Sequence, residues 1–133
     1  MKKYLLDTNI CVYFLKGLFN LDIKIEKADV ENCFISEITV AELKFGAENS
    51  ENREKNRKTI DEFVNGFTVI PIFNSLDIYA REKARLRKKG APLDDFDLLI
   101  GATAISNNLI LVTRNISDCE RLKGIEIENW VEA

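Results

Sequence analysis

The stretch PLDDFDLLIGATAI, Pro92–Ile105, decides how the chain is to be read. Asp94 is placed to cap a helix, and an apolar run follows it. At about 100° per residue, Asp97 falls beside Ile100, Gly101 and Ala104 rather than on a polar face. A carboxylate in small and apolar company is costly to desolvate unless something charged compensates it. As a first-turn acid it would also favour the helix dipole.

Outward from this helix, the chain alternates short apolar strands with helices. Lys2–Leu6 reads as a buried strand ending at Asp7, followed by a helical ICVYFLKG closed near Gly17. The segment Leu18–Val30 is expected to be helical. Cys33–Ile35 is a second strand, with Ser36 as N-cap for a helix over Glu37–Asn49. Residues 50–62 are expected to form a solvated helix running toward Phe67. Phe67–Phe73 is strand-like, with Pro71 marking its edge or exit. A helix over Ser75–Lys89 ends at Gly90, and Leu109–Thr113 is another buried strand. RNISDCERLKG is a loop or short helix, and Ile125–Ile127 is a last small strand. The alternation gives an α/β domain with a mostly parallel sheet. The whole span 1–133 is expected to be one domain, long enough for a real core.

Composition narrows the chemistry. There is no histidine, so imidazole general bases, histidine-activated nucleophiles and histidine-built zinc sites are excluded. The three cysteines, Cys11, Cys33 and Cys119, form no CxxC, and reduced thiols in a cytoplasmic protein are the expectation. The apolar N-terminus is interrupted by Asp7 and Asn9 and is not read as a signal peptide. No run approaches a membrane span, so no membrane partner is expected. A net charge of −3 says little about partners.

Two more acids stand out. Asp7 follows a buried strand, where it could be a plain N-cap or, at the carboxyl edge of a parallel sheet, a ligand-binding group. Glu42 lies opposite the polar stripe of Glu37, Lys44 and Glu48, beside Ile38 and Phe45; a buried ion pair would also explain it. Asp118 follows the LILVT strand and can reach the same edge. Thr113 and Asn115 could orient a water or a phosphate there. Two carboxylates about 4 Å apart repel by about 4 kcal/mol at an effective dielectric near 20. Such a cluster must take up protons, pair with Lys or Arg, or bind a divalent cation. Oxygen-only ligands select Mg²⁺ or Mn²⁺, which can activate water and stabilise charge on a phosphodiester. Arg81–Lys89, with six basic residues and one acid, runs into the Asp97 stretch. It is either a solvated helix face or a phosphate-contacting surface, with Arg85, Arg87 and Lys88 as its candidates. Lys44 and Arg114 are further ones. Tyr4, Tyr13, Phe14, Phe45, Phe63 and Phe96 read as core or interface.

LLDTN at Leu5–Asn9, ITVAELKFG at Ile38–Gly46, GAPLDDFDLLIGATA at Gly90–Ala104 and LVTRNISDCERLKGIEIENW at Leu111–Trp130 together resemble the PIN-domain fold. More narrowly they resemble the VapC toxin ribonucleases of bacterial type II toxin–antitoxin pairs, from near the first residue to near the last. The resemblance implies an α/β/α sandwich around a mostly parallel sheet. It carries the family's acidic positions onto Asp7, Glu42 and Asp97, with Asp118 as the fourth; Asp95, an extra acid where relatives often have an uncharged residue, is a candidate auxiliary metal ligand. Asn9, Thr113, Asn115, Lys44, Arg85, Arg87 and Lys88 are the substrate-binding candidates. Cys119 stands where an aromatic is common, and Gly101 where Ala is common. The implied activity is Mg²⁺-dependent endonucleolytic cleavage of structured RNA, typically a tRNA, with the initiator tRNA anticodon stem-loop as one target and Mn²⁺ as a substitute ion. The implied partners are a second copy of the chain and a VapB-type antitoxin, with operator DNA bound only through that antitoxin. Two other classes remain open: a PIN-like RNA-binding or assembly module without catalysis, and a phosphotransferase using Asp7, for which LDTN lacks a second Asp.

Overall fold

A computed structural model describes residues 1–131, so the last two positions of the expected 1–133 domain lie outside the described residues. Five strands form one sheet: β1 (Tyr4–Leu6), β2 (Cys33–Ser36), β3 (Thr68–Ile70), β4 (Ile110–Val112) and β5 (Ile127–Glu128). Their order is β3-β2-β1-β4-β5 and every pairing is parallel, so the mostly parallel sheet is entirely parallel. Seven α-helices among the described residues connect and cover it: α1 (Thr8–Leu15), α2 (Leu21–Ala28), α3 (Glu37–Glu48), α4 (Arg53–Asn65), α5 (Leu76–Lys88), α6 (Asp95–Ser106) and α7 (Ile116–Cys119). Leu5, Leu6, Ile35, Leu111 and Val112 are at most 1% exposed. Burial of both sheet faces explains why these strands read as continuous apolar runs instead of alternating.

Strand order places the site. The chain leaves β1 toward β2 and β3 on one side, then returns to lay β4 on the other side of β1. In open α/β sheets, the crevice at such a switch point, outside the carboxyl ends of the strands, is where ligands bind. Leu6 pairs with Val112 at that edge, and the Asp7 amide donates to the Val112 carbonyl at 2.9 Å. Asp7 and Thr113 therefore emerge side by side.

Capping follows the local chemistry. Ser36 accepts from the Ile38 amide at 3.1 Å and Asp94 from the Phe96 amide at 3.2 Å. Gly17 and Gly90, both at φ +70°, close α1 and α5. In each, the two residues past the cap bond back into the last turn: Gly90 to Arg87 and Ala91 to Leu86, Gly17 to Phe14 and Leu18 to Tyr13.

Several expected boundaries shift. The helix expected over Leu18–Val30 forms only over Leu21–Ala28, because Phe19, Asn20 and Asp29 take positive φ; Val30–Asn32 is a 3₁₀ turn. The solvated helix starts late, at Arg53, and reaches Asn65. Of Phe67–Phe73 only Thr68–Ile70 joins the sheet: Pro71 lacks the N–H a ladder needs, and Phe73–Ser75 turns into 3₁₀ helix. The last strand is Ile127–Glu128 rather than Ile125–Ile127, because the chain leaves the Gly124 turn (φ +84°) before meeting Leu111 and Val112. Of the aromatics, Phe63 is core, whereas Phe45 and Phe96 are 69% and 45% exposed. The Ile38–Glu42–Phe45 row drifts from the sheet out to solvent along α3. All three cysteines are free and buried, and among the described residues no helix is long and apolar enough to cross a membrane.

Candidate active site

Asp7 caps α1 and is 5% exposed. Its Oδ1 accepts from the Thr8 amide at 2.8 Å and its Oδ2 from the Thr113 hydroxyl at 2.7 Å. The capping reading of Asp7 is thus correct, and it leaves the carboxylate at the switch point all the same. Burial pushes its pKa up, opposed by the bonds from Thr113 and Thr8. Thr113 is itself fixed, accepting from the Asn115 amide at 3.0 Å. Asn115 contributes this backbone bond at the start of α7, with no capping bond from its side chain.

Glu42 stands on α3, half-buried, where the Thr8 hydroxyl donates to its Oε1 at 2.7 Å. The same hydroxyl lies 3.0 Å from the fully buried Thr39 Oγ1. Thr8 and Thr39 thus orient Glu42, a part that sequence reading left unassigned. The signal was there: Thr8 directly follows Asp7 and Thr39 sits one turn before Glu42. No Lys or Arg lies within 4.0 Å of Glu42, so the ion-pair reading fails among the described residues.

Asp97 lies in the first turn of α6, half-buried, with Ile100, Gly101 and Ala104 buried below it. Desolvation, and then the charges of Asp7, Asp94, Glu42 and Asp118, raise its pKa to about 6. Three acids from distant parts of the chain, Asp7, Glu42 and Asp118, and Asp94 from the cap of α6 itself therefore act on one carboxyl group. Asp118 joins this cluster through α7, with its Oδ1 held by Arg121 at 3.0 Å. Arg121 also donates to the Pro92 carbonyl at 3.2 Å, tying α7 to the loop that leads into α6. Cys119 lies in the same field; burial and the nearby acids push its thiol up to about 12, which makes it a poor nucleophile near neutral pH.

The donor set is all oxygen: four carboxylates, with the hydroxyls of Thr8 and Thr113 bonded to two of them. Asn9, two residues after Asp7 on α1, has its Oδ1 buried with no hydrogen-bond partner among the described residues. Asp7, Glu42 and Asp97 have no cationic partner there either. Such a set fits a hard divalent ion. No three acids among the described residues close around one point by themselves. An ion held here would keep several waters, as Mg²⁺ does.

The remaining candidates are spread more widely. Asp95, the candidate auxiliary metal ligand, is turned to α5, where Lys83 and Tyr79 hold its Oδ1 at 2.8 and 2.9 Å. Arg85 is bound in bidentate fashion by Glu82 at 2.8 Å and donates to the Arg121 carbonyl at 2.7 Å, which corrects its assignment as a free phosphate contact. Its charge is already matched. Lys44 lines a cleft between α3 and α4 with Glu48, Arg57 and Asp61, on the far side of α3 from Glu42. Arg87 and Lys88 are exposed, and Arg87 borders the cleft holding Asp94 and Asp95. Arg114 donates to the Tyr13 hydroxyl at 2.8 Å.

Away from the acids, an apolar groove of about 510 Å³ lies between α2 and α4. Phe14, Ile25, Phe63 and Phe67 form its floor, and Asp22, Glu26, Asp29 and Glu62 surround it.

Comparison with known proteins gives the family and the fold. The family model described as the PIN domain matches residues 4–123. The chain is 33% identical to the tRNA(fMet)-specific endonuclease VapC of Salmonella typhimurium, covering 98% of this chain and 99% of that protein. It is 36% identical to Ribonuclease VapC2 of Haemophilus influenzae, covering 98% and 100%. The structure superposes on the DNA-bound VapBC complex from Salmonella typhimurium with a TM-score of 0.90, at 32% identity over 98% of this chain and 99% of that one. The chain belongs to the PIN-domain family, in its VapC ribonuclease branch.

Proposed function

We propose that the chain, as one PIN domain over 1–133, is the Mg²⁺-dependent endoribonuclease toxin of a VapBC-type pair, acting on structured RNA in the cytoplasm. The observation that carries this is the acidic cluster at the switch point: Asp7, Glu42, Asp97 and Asp118, of which, among the described residues, only Asp118 is paired with a cation. Asp7, Glu42 and Asp97 would hold the ion, directly or through water, with Asp118 beside them. When bound, Mg²⁺ or Mn²⁺ supplies an activated water and neutralises charge on the phosphodiester.

The chain's own residues do the positioning. Thr113 and the Thr8 amide fix both oxygens of Asp7, and Thr8 with Thr39 fixes Glu42. Bonds of this kind orient ligands and are typically worth 10–100-fold in activity or affinity. Thr8→Val keeps the amide bond to Asp7 and removes the hydroxyl from Glu42. It is expected to lower cleavage by about 10–100-fold while leaving the thermal unfolding transition cooperative. Unchanged cleavage would assign the hydroxyl a packing role only.

A tRNA, with the initiator anticodon stem-loop as the specific target, is the substrate we favour, because a relative 33% identical over nearly the whole chain is named for tRNA(fMet). The proposed partner is a VapB-type antitoxin, through which operator DNA would be bound; VapBC complexes are what the superposing structures contain. The groove between α2 and α4, apolar in its floor and acidic around it, suits an amphipathic basic segment of such a partner. Exposed Phe45, Phe73 and Phe96 offer apolar surface for a homodimer.

The deciding experiment incubates purified, partner-free protein with total tRNA in Mg²⁺ and in EDTA, beside Asp7→Asn. Discrete products that require Mg²⁺, carry 5′-phosphate ends and are absent from the variant are expected. Intact RNA with folded, Mg²⁺-loaded protein would favour the non-catalytic RNA-binding module.

A further inference from the structure

We propose that the cleft between α5 and the start of α6 seats an RNA phosphodiester beside the scissile one, with Lys83 and Arg87 as its cations and Asp95 as the counterion that the phosphate displaces. The proposal rests on the nuclease reading and adds the substrate-holding side of that site.

The cleft, about 290 Å³, is lined by Lys83, Arg87, Pro92, Leu93, Asp94, Asp95 and Leu98. It neighbours the acidic cluster through Asp94, which lines the cleft and stands about one turn before Asp97 at the start of α6, whereas Asp95 and Asp97, two residues apart, point to different sides of that turn. Across it, Lys83 and Arg87 are one turn apart on α5. Both also border the groove on the outer side of α5 with Tyr79 and Lys88, so positive charge continues from the cleft along the helix.

The cations of α5 are not equivalent. Arg85 is held by Glu82 and by a backbone carbonyl. Arg87 has no carboxylate within 4.0 Å among the described residues, although it borders a cleft carrying two of them. Lys83 bonds to Asp95 Oδ1 at 2.8 Å and to the Tyr79 hydroxyl at 3.2 Å, with its ammonium 5.5 Å from the Tyr79 ring centroid. The Lys83 and Asp95 side chains are 38% and 53% exposed. A pair this exposed to solvent is held only weakly, so a phosphate with two cations to meet can take the place of the carboxylate. Asp95 then has a role opposite to that of a metal ligand. It weakens the hold on RNA and keeps Lys83 placed, against Tyr79, while the cleft is empty.

The sign of the Asp95→Asn effect separates these roles. Binding of a fluorescein-labelled initiator tRNA anticodon stem-loop is measured by anisotropy in EDTA across a KCl series, with every variant in the Asp7→Asn background. Lys83→Gln and Arg87→Gln are each expected to weaken binding about 3–10-fold and to lower the salt slope by about 0.7–0.9. Asp95→Asn is expected to tighten binding about 2–5-fold, and that gain should vanish when Lys83→Gln is also present. Unchanged affinity and slope in Lys83→Gln and Arg87→Gln would overturn the subsite. So would an Asp95→Asn gain that survives without Lys83, which is general charge removal, or a loss of binding with a lowered melting temperature, which is a structural pin. Cleavage of the same RNA by the unaltered chain with Mg²⁺ keeps the two readings apart. Cleavage with no effect of either cation removes only the subsite, whereas neither binding nor cleavage removes both.

Discussion

Asp97→Asn is expected to abolish RNA cleavage and, in the same protein without divalent ions, to raise the melting temperature at pH 7.5. Loss of activity by about 100-fold or more follows from removing an acid at the centre of the cluster. The stability gain follows from the field around it. Burial and four neighbouring acids raise the Asp97 pKa from 3.8 to about 6, so its charged form opposes folding. That opposition is complete above about pH 6, diminishes as the group takes up its proton, and is gone below the unfolded value near 3.8. Allowing for its half-exposed position and its benefit from the helix dipole, the neutral side chain should stabilise by about 1–2 kcal/mol at pH 7.5. For a chain of this size that is a few degrees. Mg²⁺ should reverse the order, raising the melting temperature of the unaltered protein more than that of the variant. Differential scanning fluorimetry at pH 7.5 and pH 4, with and without Mg²⁺, checks all of this. Asp97→Asn protein that cleaves RNA at the full rate would remove Asp97 from the site.

Glu82→Ala is expected to cost about 2 kcal/mol of stability, more than any exposed charge on α5. Glu82 is 8% exposed, takes both guanidinium bonds of Arg85, and accepts from the Lys123 amide on the segment after α7. Its removal leaves an arginine and a backbone N–H without their acceptor. The Arg85 bond is the main reason its carboxyl titrates below the usual glutamate value of 4.5. Its contribution is therefore present above about pH 4.5 and lost as the pH falls through its lowered folded value. Urea unfolding at pH 7 should show the full difference between Glu82→Ala and the unaltered chain, and at pH 3 a smaller one. Equal midpoints at pH 7 would mean that Arg85 and Lys123 find other partners. Arg85→Gln should resemble Glu82→Ala in stability and leave the salt dependence of RNA binding unchanged, because its charge is spent inside the protein.

The core of the site was legible because its acids break local rules. Asp97 and Glu42 stand on helix faces where a solvated carboxylate does not belong, and Asp7 ends a strand whose apolar run can only be buried. The existence of the five strands, though not all of their ends, and the Ser36, Asp94 and Gly90 caps were legible because each is dictated by neighbours a few residues away. What failed needed contacts distant in sequence, or backbone conformations that a helical pattern does not reveal. Lys83 and Asp95 are twelve residues apart and meet only because α5 packs on α6. Phe19 and Asn20 take a left-handed conformation that a run of helix formers hides. Arg85 is the exception, since Glu82 lies one turn before it and the pair could have been read from the i, i+3 spacing. Thr8 and Thr39 stand beside Asp7 and Glu42 in sequence, but that their hydroxyls meet at Glu42 became visible only where α1 and α3 come together.

Gly101 shows how a residue can matter by what it lacks. A methyl group there would sit 2.1 Å from the Leu122 Cδ1, on a side chain that is 2% exposed. Leu122 fills the room that the missing side chain leaves, so the helix bearing Asp97 approaches the segment following Asp118 as closely as a bare backbone allows. The atom in the way is the end of a flexible side chain, so a methyl group added at 101 is met by a turn of the leucine. The spacing between the supports of two of the acids is thus tunable from a position that carries no functional group at all.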